Sequence, residues 1–125
     1  MKIVNLMPHD LTIFRAEDTK PAGPKGYVLA HDSIPLVRIP SSGISRAAAV
    51  ENPVGTVNGI PLFRMAFGEP VGVPDPAPDT VYVVSSITAQ ACREAGRDTD
   101  DLLIPARTVR DANGRIIGCT AFSCL

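Results

Sequence analysis

Residues 54–67 read VGTVNGIPLFRMAF, two apolar runs separated by Asn58-Gly59. Both residues of that pair tolerate positive φ, as the two central positions of a type I′ turn require, so the stretch predicts a β-hairpin with a two-residue loop. A second hairpin is predicted in TVRDANGRIIGCTAF (residues 108–122), around Asn113-Gly114. Hairpins bring consecutive strands together antiparallel, and the rest of the chain has to be read around that sheet.

Working outward, KIVNL and LTIFR are short runs of strand formers joined by MPHD (residues 7–10), which reads as a tight hairpin or a strand-turn-strand. YVLAH, IPLVRIP, AAAVE, TVYVVSS and LLIPA read as further strands, with prolines at ends or edges. Residues 16–26, AEDTKPAGPKG, form a polar loop whose two prolines oppose a helix. PSSGISR (residues 40–46) is a turn, and GEPVGVPDPAPD (residues 68–79) is a proline-rich loop. One helix is expected, over about residues 86–96. Ile87, Ala91 and Ala95 recur there at four-residue spacing, with Ala89 and Cys92 near the same face. Ser85 or Ser86 caps its start and Gly96 ends it. The expected class is α+β: one domain spanning residues 1–125, a mostly antiparallel or mixed sheet of short strands and hairpins, and a single α-helix.

Composition narrows the function. Twelve Pro and ten Gly in 125 residues imply many turns, while a 45% hydrophobic content opposes disorder. A formal charge of −1 gives no global attraction to nucleic acid or to an anionic membrane. Nine of the twelve basic residues are Arg, whose planar fork suits carboxylate and phosphate, so local anion sites are compatible with the neutral balance. The three cysteines form no CxxC pair, and their odd number argues against a disulfide framework. With the two histidines they show no ligand spacing, so neither a metal nor a cofactor is expected. No apolar run approaches membrane-spanning length and no secretory core follows Lys2, which suggests a soluble cytoplasmic protein.

Four constellations are candidates for chemistry. His9 stands in the Pro8-His9-Asp10 turn, where an imidazole can be poised near neutral pH. Ser85 and Ser86 precede the helix, whose free amides can bind an anion or simply be capped. Ser42 stands in a Ser-Ser-Gly turn that, with Arg46 nearby, can form an anion nest or be a plain turn with an exposed Arg. Arg107 and Arg110 lie in ARTVRDANGR, where arginines can rim a phosphate or carboxylate pocket or pair across strands. No phosphate loop, serine-hydrolase elbow or aromatic stacking platform accompanies them.

Several of these segments together resemble a group of small proteins of bacteria and their phages that open with Asn-Leu-Thr-Pro-His. The motif stands here as Asn5, Leu6, Met7, Pro8 and His9, with Met7 in place of the threonine. The likeness continues through Ser42-Gly43 with Arg46, Val57–Pro61, Tyr82–Ser85, Asp101–Pro105, Val109–Asp111 and Gly114–Cys119. The resemblance implies one coherent domain and a phage or mobile-element origin, and it names no activity.

Three functions follow as expectations. The first is a non-catalytic module in which Asn5, His9, Ser42, Arg46, Ser85, Ser86, Arg107 and Arg110 surround a small anionic, nucleotide-like ligand, as in sequestering a host signalling molecule. The second is an interaction or assembly module that binds a host protein or forms a homo-oligomer without a small ligand. The third is an enzyme with His9 as its acid-base group, for which no matched nucleophile is visible. Catalytic residues are therefore expected to be absent, as are direct contacts with nucleic acid or membrane.

Overall fold

A computed structural model describes the backbone of all 125 residues and every side chain except that of Lys25. The sheet is built outward from β8 (Thr80–Val83), a run of strand-forming residues inserted between two parallel neighbours. On one side lies β1 (Lys2–Asn5), on the other β9 (Leu102–Arg110). Next, β9 pairs antiparallel with β10 (Ile116–Ser123), and β10 pairs parallel with β2 (Leu11–Ile13). Finally β2 pairs antiparallel with β5 (Val37–Ile39). A parallel bridge between Asn5 and Ser41 then returns the chain beyond β5 to β1, so the sheet curls into a partly closed barrel. The small hairpin of β3 (Thr19–Pro21) and β4 (Tyr27–Leu29) extends it along the far end of β9. The expected α+β class, with one short helix on a mixed sheet, is what the chain adopts.

The core follows from the alternation of side chains along β8. Tyr82 and Val84, the latter just past the end of the strand, point one way, into a cluster with Leu6, Ala89, Cys92 and Leu102, while Val83 points the other way, to Leu11, Ile13 and Cys119. One four-residue strand thus serves two apolar clusters. Each fully buried Val or Leu contributes about 1.5–3 kcal/mol of transfer free energy. The first cluster is covered by α1 (Ser86–Glu94), whose small residues Thr88, Ala89, Ala91 and Cys92 allow a close approach. The face expected from Ile87, Ala91 and Ala95 is rotated, because Ile87 is exposed and Thr88 takes the buried position. Gly96 (φ 84°) donates to the carbonyl of Arg93 and Arg97 to that of Cys92, which closes the helix in a Schellman turn.

One local expectation is corrected, and the second expected hairpin forms between β9 and β10. Pro8-His9-Asp10 is not the loop of a hairpin: β1 and β2 do not pair, and the turn passes the chain from the β8 side of the barrel to the β10 side. Around Asn113-Gly114 only Gly114 has positive φ, and its amide donates to the carbonyl of Asp111. That loop is a four-residue turn closed by a left-handed glycine, wider than a type I′ turn.

The opening stretch forms an element apart. β6 (Ala49–Val57) and β7 (Ile60–Phe67) pair only with each other, as a ribbon joined by Asn58 (φ 51°) and Gly59 (φ 80°). Its base is fastened by the Gly68 amide, which donates to Ala48, and by the Phe67 amide, which donates to the Glu94 carboxylate of α1 at 3.3 Å. Among the described residues no helix is long and apolar enough to cross a membrane.

Candidate functional site

Asn5 is fully buried at the barrel seam. Its amide donates to the carbonyls of His9 and Ile39, both at 3.0 Å, and its Oδ1 accepts the Met7 amide at 2.9 Å. The Ser41 hydroxyl donates to the Met7 carbonyl at 2.6 Å, and the Ser45 hydroxyl to the Leu6 carbonyl at 3.0 Å. Asp10 Oδ1 accepts the Ser41 amide at 3.3 Å. The Asn-Leu-Met-Pro-His segment is thereby held rigidly against residues 41–45, and Asn5 uses its polar atoms inside the fold.

His9 is turned outward by this arrangement, with Nδ1 at 3.0 Å from the carbonyl of its neighbour Asp10. It borders a half-open cleft of about 210 Å³, whose walls are mainly Met7, Leu11, Pro105, Ile116 and Ile117. Asp10, Thr12 and Thr108 supply the other polar groups. Cys119 closes the floor, where burial raises its thiol above the ordinary range and keeps it protonated and unreactive near neutrality. Met7, the residue that stands in place of threonine, presents an apolar wall to the cleft and packs on the second core cluster.

The other sequence candidates do not join His9 in that cleft. Ser85 caps α1: its hydroxyl accepts the Thr88 amide at 3.2 Å and donates to the Thr88 hydroxyl at 2.9 Å. The Ser86 hydroxyl accepts from Gln90 at 2.9 Å. Ser42 contributes its amide to the Asn5 carbonyl at 2.8 Å. The Arg46 backbone pairs with Val71, and its side chain borders a separate shallow hollow with Ala47, Ala48 and Glu69. Arg107 sits in β9 with φ 52°, a left-handed position within a strand. Arg110 donates to the Gly114 carbonyl at 2.7 Å and faces a third hollow beside Asp111 and Asn113. Among the described residues, no cluster of His, Cys, Asp or Glu is placed to hold a metal ion.

The feature that sequence reasoning missed is the exposure of the β6–β7 arm. Cross-strand partners share a face, so the register divides the arm into two surfaces. Val57, Ile60, Leu62 and Val50 lie on one with Asn52 and Arg64, while Pro53, Phe63 and Met65 lie on the other with Thr56, Pro61 and Glu51. Ile60 is 67% exposed, Met65 51%, Leu62 48% and Phe63 46%. A ribbon covered on one face would carry polar residues at alternate positions. Here both sets of alternates are mainly apolar, and that was the signal available in the sequence. No family model, no curated protein and no solved structure matches the chain.

Proposed function

We propose that this chain is a non-catalytic assembly module that self-associates through the β6–β7 arm, which is covered by protein when the chain is at work. The observation that carries this reading is an arm apolar on both faces, standing clear of the barrel. A lone two-stranded ribbon is at best marginally stable in water, and contiguous apolar patches of this kind mark interaction surfaces. Surface area supports the same reading. The chain exposes 7987 Å². A compact monomer of 13.2 kDa exposes about 6,400 Å² by the usual scaling. The surplus of roughly 1,600 Å² belongs to the whole chain and is in keeping with an element that stands out from a compact body.

Sedimentation velocity of the purified protein tests it. The expected result is an oligomer at micromolar concentration, and a 13.2-kDa monomer for Leu62→Asp/Phe63→Asp with an unchanged far-ultraviolet circular dichroism spectrum. A wild-type chain that stays monomeric throughout the micromolar range removes the proposal.

The small anionic ligand has one observation in its favour. The His9 imidazole stands at the mouth of a cleft with two threonine hydroxyls, although Asp10 brings a negative charge to the same mouth. Calorimetric titration with nucleotides against wild type and His9→Ala tests that second reading, which requires binding that the variant loses.

A further inference from the structure

Resting on the assembly reading, we infer that the arms of successive copies stack head to tail, the Arg64 face of one copy against the Glu51 face of the next. The two faces differ in charge. Glu51 lies opposite Met65 in the register and Arg64 opposite Asn52, so the arm has one anion on one surface and one cation on the other, a single register step apart. Among the described residues neither has an ion-pair partner within the chain. Stacking unlike faces brings the two charges together between copies. Stacking like faces about a twofold axis sets arginine near arginine or glutamate near glutamate.

The edges of the arm favour face packing over strand addition. With a two-residue loop, Val57 and Ile60 form a hydrogen-bonded pair, so alternation makes Thr56–Pro61 and the Pro53–Phe63 pair beyond the bulge non-hydrogen-bonded. At such positions the backbone nitrogen faces outward. Pro61 therefore removes a donor from the free edge of β7 and Pro53 one from the free edge of β6, and the bulge at Val54 interrupts the latter further. What is left for a partner is the two apolar faces. Using both of them on different neighbours covers both faces, as a head-to-tail contact does and a single twofold contact does not.

Charge exchange on the intact chain tests the inference by sedimentation equilibrium. Glu51→Arg and Arg64→Glu are each expected to raise the dissociation constant at least tenfold, because each sets like charges against one another in every contact. The doubly exchanged chain Glu51→Arg/Arg64→Glu is expected to regain wild-type affinity. An equimolar mixture of the two single variants should also assemble, by alternating. Silent single exchanges, or a double exchange no better than either single, overturn the head-to-tail contact. A wild-type oligomer that Leu62→Asp/Phe63→Asp dissolves, combined with silent charge exchanges, leaves the assembly reading standing and removes only this inference. Circular dichroism of each variant confirms that the barrel is folded.

Discussion

Cys92 and Cys119 lie buried in the two core clusters while Cys124 is exposed beyond the end of β10, and this difference can be read chemically. Burial raises the Cys92 thiol, against a smaller lowering by nearby Arg97, and burial likewise raises Cys119 against hydrogen bonds from the Ala121 and Ala106 backbone. In the native protein one thiol of three, Cys124, should react promptly with Ellman's reagent, and Cys124→Ser should abolish that fast phase. The same shifts give a sign for pH. The unfolded chain releases both protons near the ordinary thiol value of about 8.5, whereas the folded chain holds them to higher pH. The contribution of these thiols is therefore complete below that value and is lost as pH rises through the raised folded values. Urea midpoints should fall between pH 7.5 and 9.5, and fall less in Cys92→Ala; an equal decline in both proteins contradicts the assignment.

At the scale of elements, β10 and β2 meet through one pair of residues, Cys119 and Ile13, and a glycine beside that contact sets how closely they approach. A Cβ on Gly118 would lie 2.5 Å from the Thr12 carbonyl oxygen and 2.7 Å from the Phe14 ring. Gly118→Ala should cost about 1–3 kcal/mol by overpacking, visible as a lowered thermal midpoint. Gly43 is a matched control: its added Cβ meets nothing closer than Leu6 Cδ2 at 3.7 Å, so Gly43→Ala should leave stability unchanged or raise it by up to about 1 kcal/mol. The same contact shows why parts of the fold were legible and others were not. The Asn58-Gly59 turn and the Ser85 cap are encoded within a few residues, and both formed as the sequence says. The pairings of Lys2 with Thr80 and of Cys119 with Ile13 join residues far apart in the chain. No local pattern names such partners, so the sequence of the N-terminal turn does not by itself separate a hairpin from a strand-turn-strand. Asn5 shows the same limit at the candidate site. A polar residue beside a turn reads as available to a ligand until tertiary packing encloses it, and here the barrel seam consumes its amide.

For the whole molecule, the barrel and the arm are stabilised by different means, and hydrogen exchange can separate them. Amides of β8 and β9 lie between neighbouring strands around two apolar clusters, so their protection reports global stability and does not depend on protein concentration. Above its base, fastened at Phe67 and Gly68, the arm has among the described residues only its own ladder, and its apolar side chains stay exposed on both faces. A ribbon of that kind opens readily as a free monomer and is protected when neighbouring copies cover it. Protection at residues 49–67 should therefore rise by an order of magnitude or more as concentration passes through the dissociation constant of the assembly, while β8 and β9 stay constant. In Leu62→Asp/Phe63→Asp the arm should exchange rapidly at every concentration. Arm protection that is high and independent of concentration would mean that the ribbon is stable alone, and the physical reason for covering it would be gone.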